Sequence, residues 1–291
     1  MEIIRAKHMG FCFGVAGAID MCHKVLKDEE NNGKKVYILG MLVHNENVVE
    51  ELRKEGFELV EEEEILSGED PLNPGDVIII RAHGTTEEIY NILNKKKVKI
   101  YDATCVFVAK IRKTLVEKEK TGYNIVFIGD KNHPEVRGII SFGQKVQVCA
   151  DLEELKKIEI DKNKKYCLLT QTTLNKKNLE KIKSYLENTH SNVKILDKIC
   201  GATQVRQEAV EELAKVTDVV IVVGGKNSSN TKKLYDISNN FNSNTYLIQD
   251  DKDLDPEWLK GKKRIGITAG ASTPEEIVIN IENKIRGIFN A

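Results

Sequence analysis

Three of the six cysteines fall at like places in the sequence. Cys12 in GFCFGVAGAI, Cys105 in ATCVFVAKI and Cys200 in ICGATQVRQEAV each end a short segment and open a helical pattern, 93 and 95 residues apart. A thiol at a helix start is favoured as thiolate by the helix dipole, and thiolate is the form that binds metal. Closed structural zinc sites and ordinary clusters take four ligands. Three leave an open position, the mark of a catalytic metal. There is no C-x-x-C pair to offer a more local site. Cys149 in VQVCA and Cys167 in YCLLT sit within apolar strands, and Cys22 lies on the inward face of a helix. These three read as inert, buried thiols.

Other polar groups recur in step with those cysteines. His44, His83 and His133 lie where strands run into helices, whereas His8, His23 and His190 do not. Thr172 in TQTTLNKK, Ser272 in TAGASTPEE and the run Ser228, Ser229, Asn230 fill the remaining strand ends. Backbone N–H groups and hydroxyls at helix N-termini bind anions. Any one of these hydroxyls is equally well explained as an N-cap, so the anion reading rests on the set. Glu135 in NHPEV is the sole acid beside them and the candidate proton donor, although alone it would read as an exposed first-turn glutamate. Nearby patterns carry less. GFCFGVAG lacks the dinucleotide spacing, VGGKNSS lacks the first glycine of a P-loop, and His-x-Glu lacks the C-x-x-C partner of zinc deaminases. The acidic run at 61–64 reads as a solvated face.

The elements that must hold these residues alternate along the chain. KKVYILG, DVIIIRA, KVKIYDA, NIVFIG, KVQVCA, YCLLTQ, VKILD, DVVIVVGG, NTYLIQ and KRIGITAG read as strands. Helical patterns such as NVVEELRKEG, TTEEIYNILNKK and TQVRQEAVEELAKV lie between them. Strand–helix alternation implies an α/β fold with mainly parallel sheets, whose ligands bind at the carboxyl ends of strands. The recurrence divides the chain into three repeated α/β units, 14–104, 105–199, and 200–291 with 1–13. Lys and Arg total 44 against 45 Asp and Glu, so no global positive field exists to hold nucleic acid or an anionic membrane. An anion must be caught locally. Glu2 and Asp20 break any leader pattern, no apolar run could span a bilayer, and a cytoplasmic protein is expected. On the residues alone, a cluster reductase, a redox-neutral cluster dehydratase or isomerase, and a non-enzymatic metal-binding sensor all stay open.

Taken in order, GFCFGV, LVHNENVV, RAHGT, DATC, HPEVRG, TQTTL, ICGATQVRQEAV, SSNT and TAGASTPE resemble the 4-hydroxy-3-methylbut-2-enyl diphosphate reductases of the non-mevalonate isoprenoid pathway over nearly the whole chain. The resemblance implies a cloverleaf of three α/β units around one [4Fe–4S] cluster. Cys12, Cys105 and Cys200 would ligate three irons and leave the fourth open. It implies reductive removal of an allylic hydroxyl to give isopentenyl and dimethylallyl diphosphates. His44, His83, Ser228, Ser229, Asn230 and Ser272 would hold the diphosphate, with His133 beside it and Glu135 and Thr172 delivering protons. The two electrons would come from an external one-electron donor such as ferredoxin or flavodoxin, since no nicotinamide or flavin motif is present. One departure is visible: Val106 stands where these reductases commonly have proline.

Overall fold

The computed structural model describes residues 1–196 and 199–290. In chain order, β1 (Glu2–Arg5) and α1 (Phe13–Lys27) come first. Then follow β2 (Val36–Leu39), α2 (Glu46–Lys54), β3 (Glu58–Val60), α3 (Glu62–Ser67), β4 (Val77–Ile80), α4 (Glu87–Lys95) and β5 (Lys99–Asp102). Next are α5 (Val106–Lys120), β6 (Tyr123–Ile128), α6 (Pro134–Ile140), β7 (Val146–Cys149), α7 (Leu152–Leu155), β8 (Lys165–Thr170), α8 (Lys176–Thr189) and β9 (Val193–Ile195). The last are α9 (Gly201–Val216), β10 (Val219–Val223), α10 (Ser229–Phe241), β11 (Thr245–Ile248), β12 (Arg264–Ala269) and α11 (Glu275–Asn290).

These strands form three four-stranded sheets with one shared order: β3-β2-β4-β5, β7-β6-β8-β9 and β11-β10-β12-β1. Every neighbouring pair in the three sheets is parallel. In the last sheet the fourth place is taken by β1, which begins the chain and pairs from Glu2↔Arg264 to Arg5↔Ile267. The parallel α/β architecture expected from the alternation is therefore present three times. The central strands VIII of β4 and VVIVV of β10 are buried along their whole length, as β-branched runs covered on both faces should be. Each such side chain stabilises the fold by about 1.5–3 kcal/mol relative to exposure. In all three sheets the strand order reverses between the first and third strands. That reversal opens a crevice at their carboxyl ends.

The chain gathers into two compact units. One holds Met1–Ala16, Val43–Glu50 and the chain from Gly201 onward; the other holds Gly17–Leu42 and Glu51–Cys200. The first is built on the β11-β10-β12-β1 sheet, with apolar clusters against both faces. The second contains the other two sheets and their own clusters. Among the described residues, no helix is long and apolar enough to cross a membrane.

Two readings need correction. β1 and β3 are strands that the sequence reading left out: EIIR lay within a charged N-terminal stretch, and ELV is only three residues long. The acidic run at 61–64 is a solvated face except at Glu62. It opens α3, where the Glu64 carboxylate accepts the Glu61 N–H at 2.7 Å and Glu62 is 4% exposed. Acids in a first turn are favoured by the helix dipole. Glu62 is sunk because cationic side chains meet it there.

Candidate active site

The three cysteines are fixed by one device. Each donates its backbone N–H to a carbonyl two residues beyond the third strand of a sheet. The pairs are Cys105 to Ala82 at 2.9 Å and Cys200 to Thr172 at 3.1 Å in the second unit, and Cys12 to Ala271 at 3.1 Å in the first. Cys105 is the N-cap of α5, while Cys12 and Cys200 immediately precede α1 and α9. The Val15 N–H points at the Cys12 sulfur at 3.4 Å. The sequence phase needs one adjustment. Ala82, Thr172 and Ala271 are equivalent, so His83 and Ser272 sit one place later than Thr172. The hydroxyl of Thr172 therefore belongs to a different position of the repeat from the other two.

In the second unit His83, His133, Glu135 and Thr172 come together. His133 caps α6: its Nδ1 accepts the Glu135 N–H at 3.1 Å, which leaves Nε2 to carry the proton of the neutral ring. Its ring meets that of His83 edge-on, with centroids 5.5 Å apart. Pro134 at the first position of α6 presets the turn. Glu135 is not an exposed first-turn acid; it is 2% exposed. One carboxylate oxygen accepts the Thr172 N–H and the other meets the Thr172 hydroxyl, both at 2.7 Å. Burial pushes the carboxyl above its ordinary range, and the two Thr172 hydrogen bonds oppose the shift only in part. Such an acid retains its proton more readily than a solvated one and has a hydroxyl in contact to pass it on.

The first unit holds the other polar candidates. Ser228 caps α10 by accepting the Thr231 N–H at 3.3 Å, and Ser229 opens that helix. Asn230 is 7% exposed, yet its Nδ2 has no hydrogen-bond partner among the described residues. A buried donor without a partner costs about 1–3 kcal/mol, so a ligand that accepts from it gains accordingly. Ser272 is buried and donates to the His44 carbonyl at 3.2 Å. Gly225 passes so close to that carbonyl that a Cβ would overlap it. The residue cannot be enlarged without moving the His44 segment.

Several residues of these segments escaped the sequence reading. Arg206 of α9 is 6% exposed and donates to the carbonyls of Gly10, at 2.7 Å, and Ala202, at 2.8 Å. It ties the first turn of α9 to the segment before Cys12. Gln171, beside Thr172, accepts the Asp130 N–H through Oε1, and its Nε2 lacks a partner among the described residues. Thr203, three residues after Cys200, is buried in the first turn of α9. Arg81, just after β4, is also buried. It is neutralised by Glu62, which the sequence had placed on a solvated face. A long cation inside a motif segment was the signal available for Arg206; Glu62 offered none.

Residues 3–286 match the family model described as LytB protein. The chain belongs to the LytB family. A Fusobacterium nucleatum protein named 4-hydroxy-3-methylbut-2-enyl diphosphate reductase is 55% identical over 99% of this chain, which spans only 34% of that longer relative. One of the same name from Thermoanaerobacter sp. is 40% identical over 98% of this chain and 97% of its own length. Among solved structures, the E-1-hydroxy-2-methyl-but-2-enyl-4-diphosphate reductase from Plasmodium falciparum superposes with a TM-score of 0.90. It is 33% identical and covers 97% of this chain and 87% of its own.

The donor set of this LytB chain suits an iron–sulfur centre. Cys12, Cys105 and Cys200 stand at the starts of helices of 15, 15 and 16 residues. Cys22 and Cys149 do not suit ligation, since burial pushes both thiols up to about 12. Cys167 lies inside β8 and is fully buried.

Proposed function

We propose that the chain is a 4-hydroxy-3-methylbut-2-enyl diphosphate reductase acting at the end of the non-mevalonate isoprenoid pathway in the cytoplasm. In this reading it consists of three α/β units, 14–104, 105–199 and 200–291 with 1–13. Cys12, Cys105 and Cys200 hold one [4Fe–4S] cluster, leaving its fourth iron open. That group, when bound, supplies electrons and Lewis acidity toward the allylic hydroxyl. The overall change consumes two electrons and two protons, breaks one C–O bond, forms one C–H bond and releases water. An external one-electron donor, a ferredoxin or flavodoxin, must supply the electrons.

The chain's own residues bind and manage protons. His44, His83, Ser228, Ser229, Asn230 and Ser272 accept the diphosphate. The unpartnered Asn230 amide supports this, because it gains a hydrogen bond only when an acceptor arrives. His133 and Thr172 contribute to the same ligand. Glu135 holds a proton on its carboxyl and releases it, through the Thr172 hydroxyl, to the departing oxygen. The observation that carries this reading is the buried Glu135 carboxyl gripped by Thr172 at two points. A general acid must be positioned and must keep its proton; the two Thr172 contacts support the first and burial favours the second. The test is turnover of the allylic diphosphate by anaerobically prepared protein with a chemical reductant. Formation of the two isoprenyl diphosphates supports the reading. Turnover that needs no reductant would replace it with the redox-neutral alternative.

A further inference from the structure

Glu62 lies in the second unit and belongs to no motif that suggested chemistry, yet it is among the best-connected acids there. Its Oε1 accepts from the Arg81 guanidinium at 2.5 Å and from the Thr85 hydroxyl at 2.7 Å. Its Oε2 accepts from Arg137 at 3.1 Å. Arg81 and Thr85 bracket His83, and Arg81 also donates through Nε to the Gly84 carbonyl at 3.2 Å. Arg137 is in α6, two residues after Glu135 and four after His133. One buried carboxylate thus joins the loop that carries His83 to the helix that carries His133 and Glu135. The neighbouring contacts make that junction tight. A Cβ on Gly138 of α6 would stand 3.1 Å from the Thr85 carbonyl oxygen and 3.3 Å from the Thr85 backbone nitrogen, and the Ser141 hydroxyl accepts the Glu87 N–H at 3.0 Å. The edge-on approach of the His83 and His133 rings lies across the same seam.

We propose that Glu62 is a positioning residue that sets the substrate-binding His83 and the proton-donating Glu135 in register with one another. The inference rests on the roles assigned to those two groups above. Both carboxylate oxygens are used, so neither a neutral nor a shorter side chain serves. Gln would keep one acceptor and turn an NH2 toward a guanidinium, and Asp would not reach across the seam.

Glu62→Gln and Glu135→Gln are compared singly and together in full-length, cluster-loaded protein, with kcat and KM measured under a chemical reductant. A displacement of about an ångström at a reacting group costs on the order of a hundred-fold in rate. Glu62→Gln alone should lower kcat by about ten- to a hundred-fold and raise KM, with iron content unchanged. In the Glu135→Gln background the same change should alter kcat by less than about three-fold, because its effect on rate runs through a group already removed, while the rise in KM persists. Thr85→Val, which removes one hydrogen bond to Glu62, should act in the same direction more weakly and keeps the test open if Glu62→Gln fails to fold. Ile65→Val in the buried face of α3 is the stability control: it should lower the melting temperature and leave kcat and KM alone. A kcat loss that is undiminished in the Glu135→Gln background, or matched by Ile65→Val, overturns the proposal. Wild-type protein without reductant-driven turnover instead refutes the functional reading beneath it.

Discussion

Replacing Glu135 by Gln isolates the proton from everything else the residue does. The site should survive the change. The Gln oxygen can accept the Thr172 N–H now held at 2.7 Å, and the Thr172 hydroxyl can turn to accept from the new amide. What is lost is a proton that can leave. A positioned acid contributes about 10²–10⁴-fold, so kcat should fall at least about a hundred-fold while substrate affinity and iron content stay near wild type. The variant should also change how stability depends on pH. Burial raises the folded-state pKa of Glu135 above its unfolded value. Between those two values the native state binds more protons than the unfolded one, so stability from this group is complete at low pH and lost as pH rises. Each unit of the shift corresponds to about 1.4 kcal/mol. Denaturant titrations of both proteins across the carboxylate range and up to neutrality should show Glu135→Gln gaining on wild type as pH increases. Near wild-type turnover in the variant, or a variant whose stability relative to wild type falls with rising pH, would refute the reasoning.

Other expectations follow from the same geometry. Cys200→Ser should lose iron on anaerobic purification, while Cys149→Ser, whose thiol burial holds protonated, should keep it. Ser272→Ala should weaken diphosphate binding in a calorimetric titration by roughly ten- to a hundred-fold, the equivalent of about 1.5–3 kcal/mol for a hydrogen bond to a charged group. Gly225→Ala must push back the His44 carbonyl, and should raise KM with little change in kcat or iron content.

How far the sequence could be read depended on whether a residue's role is local. Strands such as VIII and VVIVV announce themselves because parallel sheets bury both faces, and helix starts at His133 and Ser228 follow from their own caps. The repeat was visible as a period, but its register was not. That Ala82, Thr172 and Ala271 are equivalent is set by hydrogen bonds from cysteines far along the chain. β1 was hidden because its strand partner, β12, lies at the other end of the sequence. Glu62 was misread for the same kind of reason. In EEEE every carboxylate looks alike, and only the approach of Arg81 and Arg137 distinguishes the one that is buried. Glu135 was found as a candidate from its place beside His133, whereas its grip by Thr172, 37 residues away, belongs to the fold.

The central claim, that three cysteines hold a cluster with one open iron in a reductase, is tested most directly by one measurement. Anaerobically purified protein is analysed for iron and acid-labile sulfide, and the same sample is titrated with the allylic diphosphate while the iron is followed by Mössbauer spectroscopy. The account predicts about four irons and four sulfides per chain, with one iron whose signal differs from the rest and changes when substrate is added. Four equivalent irons indifferent to substrate, or a protein that binds zinc alone, would contradict it.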